Sequence, residues 1–404
     1  NNTVTVDSGT VGGNIALNGS GTNTVLLKNA ADVRTVSGSA GSDTVTVLGN
    51  GNTFTALNGG SGTATAVFDG VTAGFHMDGT GAQINNYNQV NLRNGSLFSL
   101  DNNYALGGKP AGGAGFNIDA ASVLAVNSTV DRTLTNALTG TGTVAVENAG
   151  QAFNFATITG SAFAGTVDLS NATLALGGVN TTALTNATLK ADTGSVTTVA
   201  DGEQVIGGLT FASGKVAFNA SAPAQKVATS HMTVNRLDAS GNGTVQINVP
   251  APYVPGHETS TTASLMTQDD ANIGLELVGA ALVNGAGGNL VLQDQSGNVI
   301  TDDTQVDIAQ GGNTVAKGTY DYRLTTAGTS GSQDGLYVNY GLTELELLAN
   351  QTLTLDGTPG ATGAAADQSA RITGSGSLAV STTGSDVLSL SNSSNDYTGD
   401  TTVL

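Results

Sequence analysis

Short runs in which β-branched or aliphatic residues alternate with small polar ones recur along this chain at a nearly constant interval. Thr3-Val4-Thr5-Val6 is followed by Thr24-Val25-Leu26-Leu27, by Asp43-Thr44-Val45-Thr46-Val47 and by Thr65-Ala66-Val67-Phe68, each step being about 21 residues. Such alternation predicts strands with one buried face. The Gly/Asn clusters between them, Val11-Gly12-Gly13-Asn14 and Leu48-Gly49-Asn50-Gly51-Asn52 among them, predict turns with positive φ. A repeat this short cannot bury its own apolar face and must stack on the next one. With no helical segment between strands, the pattern predicts an all-β fold, a parallel β-helix. Each coil would lay down two or three short strands and rise about 4.8 Å.

The pattern returns at Val123-Leu124-Ala125-Val126, Thr143-Val144-Ala145-Val146, Thr166-Val167-Asp168-Leu169 and Thr188-Leu189-Lys190. Asn127, Asn148 and Asn171 follow the first three of these runs, and stacked side-chain amides are expected of them. Two Phe-bearing runs, Ala66-Val67-Phe68 and Gly74-Phe75-His76-Met77, interrupt the small-residue monotony. Residues 101–116 lose the alternation and read as a protruding loop. So do residues 250–270, which hold Pro250, Pro252 and Pro255, because proline does not fit a central strand. Strands resume at Ile273–Val278 and Leu290–Leu292. At about 22 residues per coil the 404 residues give roughly 16–18 coils, a single β-helical domain about 80 Å long.

Composition fits a narrow solenoid core. Charged residues are 11%, Gly 57 and Pro only 6, which is not the profile of a disordered chain. No apolar run approaches the length of a membrane-spanning helix, and the first residues do not read as a signal peptide. The absence of Cys excludes disulfides and thiolate metal sites. A net charge of −19 argues against a nucleic-acid binder, so any polyanion must find a local basic patch.

Two stretches carry a resemblance. Gly318-Thr319-Tyr320-Asp321-Tyr322-Arg323-Leu324, a Gly-rich break, and Gly335-Leu336-Tyr337-Val338-Asn339-Tyr340 resemble a paired-strand signature of type V autotransporter passengers. Gly374-Ser375-Gly376-Ser377-Leu378, Leu388-Ser389-Leu390 and Asn395-Asp396-Tyr397-Thr398-Gly399-Asp400-Thr401-Thr402-Val403 resemble the passenger-associated repeat of the same family. Within it the chain is most similar to the AIDA-type adhesins, and among those to the UpaB-like members. The resemblance implies a right-handed parallel β-helix, exported through its own outer-membrane barrel and displayed outside the bacterial cell. The barrel is absent from this chain, which reads as the passenger alone.

Candidate chemistry is sparse. There is no G-x-S-x-G elbow, and His76, His231 and His257 have no metal-ligand spacing. His76 and His231, each beside a Met, read as packed wall residues, and His257 as exposed. Gly38–Val45 approximates one copy of a calcium-binding nonapeptide, but no tandem copy flanks it, so a plain turn is expected. The expectation is no catalysis, no metal and no cofactor. The sharper constellation is basic: Lys190, Lys215 and Arg236, set apart by intervals close to the coil length, would form a column one strand spacing apart, with Lys226 nearby. Such a column suits sulfates and carboxylates of a linear glycan. The two loops offer Tyr104, Lys109, Tyr253 and His257 as further ligand contacts. Acidic positions in the C-terminal half, such as Asp294, Asp302 and Asp307, suit a protein partner or simple solubility. The resemblance to adhesins implies attachment to host glycosaminoglycans and fibronectin-like matrix glycoproteins. The alternative is self-association into cell aggregates and biofilm.

Overall fold

The computed structural model describes residues 1–220, 227–247, 265–266, 275–300, 304–327 and 333–404. The interval read from the sequence is the interval between hydrogen-bonded neighbours. Thr3 pairs with Thr24, Thr24 with Thr44 and Thr44 with Thr65, each time in parallel. The chain is a β-solenoid of stacked parallel strands. It divides into two compact units, residues 1–217 with 232–243, and residues 218–231 with 244–404.

In the first unit one sheet holds seven strands, beginning with Asn2–Asp7, Thr22–Lys28, Ser42–Leu48 and Thr63–Asp69. A second stacks Thr10–Ala16, Asp32–Ser37, Thr53–Asn58 and Gln83–Asn85. A third runs through Phe75–Met77, Leu97–Leu100, Val123–Asn127, Thr143–Glu147, Thr166–Ser170 and Thr188–Asp192. Alternate residues turn inward, and Val25, Leu27, Val45, Phe68, Val90, Leu92 and Ile118 are buried. Aromatic rings fill one stretch of this core. Phe68 lies 4.8 Å from Phe75 and 5.0 Å from Phe98, and Phe98 lies 5.6 Å from Phe116 (ring centroids). Tilted and edge-on rings at such spacings add attraction beyond burial alone.

The corners between strands follow from close approach. Gly21, Gly41 and Gly62 each stand just before a strand. A Cβ on Gly41 would collide with the carbonyl oxygen of Gly21, and one on Gly62 with that of Gly41. Gly165 stands over Gly142 in the same way. Only glycine lets coils stack at strand spacing through such a corner.

A polar ladder does occur, but at the register partners Asn2, Asn23 and Asp43, of which Asn23 and Asp43 are buried and Asn2 is exposed. Asn2 Nδ2 donates to Asn23 Oδ1 at 2.9 Å, and Asn23 Nδ2 donates to Asp43 Oδ1 at 2.7 Å. Asp43 also accepts from the Ser39 hydroxyl and backbone N–H, so the nonapeptide-like stretch is an internally bonded turn. The amide stack expected at Asn127, Asn148 and Asn171 does not form. Asn127 is in register with Glu147 and Ser170, one position short of the other two. Asn127 bonds Asp101, Asn148 bonds the Ala152 carbonyl and Asn171 bonds Glu147.

The irregular stretch after Leu100 is shorter than 101–116 and lies against the coils. Gly115–Ile118 is already a strand with Phe116 fully buried, and Leu106 and Ala114 are buried as well. Arg132, itself buried, donates to the carbonyls of Asn103 and Tyr104 and pins the loop down.

The second unit departs from the parallel pattern. Asn313–Ala327 and Gln333–Leu347 pair antiparallel, with Tyr322 opposite Tyr340 and Leu324 opposite Val338. The two motif halves read from the sequence are therefore paired strands. The short segment between Ala327 and Gln333 is far too short for the crossover that a parallel pair needs. Thr304–Gln310 extends this sheet on one side, and Arg371–Gly374 joins Gln333–Leu347 in parallel. Leu342, Leu345, Leu353, Leu355, Ile372 and Leu378 make the core beneath. The last motif stacks on the preceding coil: Asp396 N donates to Ile372 O, Thr398 N to Gly374 O, and Thr401–Val403 pairs with Ser377–Ser381. The loop expected at 250–270 lies outside the described residues except for Leu265 and Met266, which are buried.

Candidate functional site

Side chains of equal rank on successive coils share one outward face and form straight rows. Thr3, Thr24, Thr44 and Thr65 make one such row, extended by Gln89. Thr143, Thr166 and Thr188 make another, beside a row of Ala125, Ala145, Asp168 and Lys190.

The basic column does not form. Lys190 has Asp168 and Thr210 as its register neighbours, while Lys215 pairs with Val196 in a different sheet. The next coil reaches the height of Lys190 already at Thr210, so the step to Lys215 overshoots it. Arg236 lies in the same sheet as Lys190 but with the strand Gly202–Ala212 between them, and its exposed guanidinium faces Asp238 at 3.9 Å. Lys190 itself is neutralised, with Nζ 2.8 Å from Asp168 and 2.6 Å from Asp192. Hydrogen bonds to Asp168 and Asp192 push the Lys190 amine up, and the bond from Lys190 holds the Asp192 carboxyl below its usual range.

Lys190→Ala should lower stability by about 1 kcal/mol or less, as for a partly exposed pair. The depressed Asp192 contributes stability above its unfolded pKa of 3.8, which is lost as pH falls through the lower folded value. The raised Lys190 contributes below 10.5, and its share is lost as pH rises through the higher folded value. The difference in melting temperature between wild type and variant should therefore stay flat across neutral pH and shrink only in strong acid or strong alkali. A difference that swings between about pH 6 and 8 would refute the assignment.

Of the loop candidates, Lys109 donates to the Gly59 carbonyl at 3.3 Å. The Tyr104 ring lies over Gly79, and burial pushes its phenol up. Both hold the loop to the coils. Lys226, Tyr253 and His257 lie outside the described residues. His76 is not a packed wall residue: its side chain is 60% exposed and Nδ1 lies 2.7 Å from Asp101. The parity of its strand buries Met77 and turns His76 outward. Among the described residues no hydroxyl is hydrogen-bonded to His76. His231, half-buried, lies 3.1 Å from Glu276. Beside it Tyr337 donates to Asp334 at 2.8 Å, and burial, with Asp334 and Glu276 adding, pushes that phenol well up.

The second unit carries a groove that no sequence interval marks. Gln305 is in register with Thr319, Thr319 with Glu344, and Glu344 with Arg371, across four adjacent strands. These residues and Thr343 line a cavity of about 460 Å³. A second row beside them runs through Asp307, Lys317, Glu346 and Thr373. Arg371 is fixed on three sides, with Nη1 3.2 Å from Glu344, Nη2 2.6 Å from Asp396 and Nε donating to the Ser394 carbonyl at 3.2 Å. The Thr373 hydroxyl and then Arg371 hold the Asp396 carboxyl below its usual range. The signal in the sequence is faint: two of the strands bring a polar pair at alternate positions, Gln305/Asp307 and Glu344/Glu346. A larger cleft of about 820 Å³ lies between residues 360–367 and 385–389. Its two carboxylates are engaged, Asp386 with the Gly360 N–H and Asp367 with Ser391. No group of three or more His, Asp or Glu among the described residues is placed to hold a metal ion.

No protein-family model matches the chain, and no solved structure matches it. It is 44% identical over 289 residues to the uncharacterized protein YuaQ of Escherichia coli (strain K12), covering 70% of this chain and 21% of that protein. It is 38% identical over 341 residues to the uncharacterized lipoprotein YdeK of the same organism, covering 79% of this chain and 25% of that protein. The chain thus spans about a quarter or less of the length of these curated relatives.

Proposed function

We propose that this chain is a binding stretch of a bacterial surface adhesin, in character an AIDA-type autotransporter passenger, and that it holds host extracellular matrix rather than catalysing a reaction. The observation that carries this reading is the register of the outward rows. A rigid stack repeats the same short polar group at strand spacing, on four successive coils in one row and three in another, and weak contacts at fixed spacing add up to avidity. The word lipoprotein in the name of the YdeK relative supports a place in the envelope. Display outside the cell rests on the two motifs and their resemblance to exported passengers. Among the ligands, fibronectin-like glycoproteins take precedence over glycosaminoglycans, because Lys190 is neutralised and does not stack with Lys215.

The test is binding of the purified chain to immobilised fibronectin and to heparin at low and moderate salt. Retention on the glycoprotein that survives moderate salt is expected, with weak and salt-labile retention on heparin, since screening weakens charge contacts. Binding to neither surface would overturn the reading. Self-association is a second reading, favoured by the short side chains Ala125, Ala145, Thr143 and Thr166 on one outward face, which permit close approach of a second copy. Sedimentation would show concentration-dependent dimers that Ala145→Arg abolishes.

A further inference from the structure

We propose that the groove over Thr304–Gln310, Asn313–Ala327, Gln333–Leu347 and Arg371–Gly374 binds an uncharged glycan, a chain of neutral hexoses, through Gln305, Thr319, Glu344 and Arg371. This goes beyond the adhesive reading, because the ligand chemistry follows from these four side chains whether or not the chain holds matrix. Four adjacent strands place them in one row about 14 Å long, three strand spacings end to end. A short run of linked pyranose rings has a comparable length and presents hydroxyls along it.

The end groups match that ligand. A sugar hydroxyl both donates and accepts. The Gln305 amide and the Thr319 hydroxyl do the same, the Glu344 carboxylate accepts only, and the Arg371 guanidinium donates in a planar fork. A vicinal pair of hydroxyls is matched by a carboxylate and guanidinium held side by side, as Glu344 and Arg371 are. Glu344 uses Oε2 for Arg371, and among the described residues nothing is hydrogen-bonded to its Oε1. The site is also organised in advance. Glu344, Asp396 and the Ser394 carbonyl fix Arg371, and Glu346 holds the Gln305 amide at 3.3 Å. Little side-chain freedom is then lost when a ligand arrives.

Charge decides among glycans. Around the groove the carboxylates of Asp307, Glu344, Glu346 and Asp396 outnumber the cations of Lys317 and Arg371. A sulfated or uronate-rich chain would meet a net negative surface, in a protein of net charge −19. A neutral chain meets no such barrier.

Isothermal titration of the full chain with cellopentaose, maltopentaose, a chitosan pentamer and a heparin hexasaccharide tests this. At least one neutral pentaose should bind, and the heparin fragment should not. Gln305→Ala and Glu344→Gln, each confirmed as folded by circular dichroism, should weaken that binding about fivefold or more, the effect of losing one hydrogen bond. Absence of binding by both neutral sugars would overturn the proposal, as would neutral binding unchanged in both variants. Tighter binding of the chitosan or heparin fragment would overturn the uncharged assignment. Failure on fibronectin with retained pentaose binding would remove the adhesive reading and leave this one standing.

Discussion

Phe98→Ala lowers the unfolding free energy of the first unit by about 3–5 kcal/mol, the usual cost of emptying a large aromatic site in a packed core. Phe98 is fully buried and its ring touches three others, with centroids 5.0 Å from Phe68, 5.5 Å from Phe75 and 5.6 Å from Phe116. Those neighbours come from different strands and are held by backbone pairing, so the cavity cannot close by a shift of one side chain. Phe98→Leu keeps most of the volume and should cost about 1–2 kcal/mol, since it loses the ring contacts but few buried carbons. Urea unfolding followed by far-ultraviolet circular dichroism reads both, the chain having no Trp to report by fluorescence. In a stack each coil is stabilised mainly by its neighbours, so hydrogen exchange should quicken first around residues 68–116. A loss below about 1 kcal/mol for the alanine variant would show that the ring stack is not a main support of this unit.

Asp43→Ala should cost about 3 kcal/mol or more, for a reason that has little to do with volume. Asp43 is 3% exposed and accepts from Asn23 Nδ2 and from both the hydroxyl and the backbone N–H of Ser39. Removal of the carboxylate strands three donors in a place water does not reach, at about 1–3 kcal/mol for each that finds no new partner. Ser39→Ala removes one of those donors and leaves Asp43 its bonds to Asn23 and the Ser39 N–H. It also takes the acceptor from the Gly41 N–H and from Asn23 Nδ2, so it should cost about 1–2 kcal/mol, less than Asp43→Ala. Calorimetric melting of both variants separates the cases. If Asp43→Ala melts like Ser39→Ala, the ladder Asn2–Asn23–Asp43 is not a cooperative unit.

The register of the first coils was legible because one interval, about 21 residues, repeats from Thr3 to Thr65. The same reading failed at Lys190 and Lys215 because coil length drifts. Thr65 is in register with Gln89, Gln89 with Gly115 and Thr188 with Gly208, which are three coils of three different lengths. A column predicted by counting forward is lost after one coil of different length, whereas inward and outward parity survives. Parity alone would have turned His76 outward, since Met77 carries the apolar side of its strand. The pairing of Gly318–Leu324 with Gly335–Tyr340 was legible as a motif, but the groove beside it was not. Its row is assembled from Gln305, Thr319, Glu344 and Arg371 by two antiparallel pairings and one parallel one, so no single spacing joins them. Nor could counting foresee how the cations are used. Composition showed few of them, and only the structure shows that Lys190 is already held between two carboxylates.

The glycine corners bear on how such a chain changes length over evolutionary time. Gly41 must meet Gly21, and Gly62 must meet Gly41, but the residues between corners are counted only by the turns that carry them. A deletion or insertion that falls in a turn leaves the meeting point intact. The long coil from Gln89 to Gly115 and the short one from Thr188 to Gly208 show that coils of different length fit the same stack. Duplication of a segment that runs from one corner to the next brings its own glycine and its own strand, and so adds a coil without disturbing those on either side. A stack built this way can be lengthened or shortened by whole coils. A point mutation at a single corner is the lesion it cannot absorb.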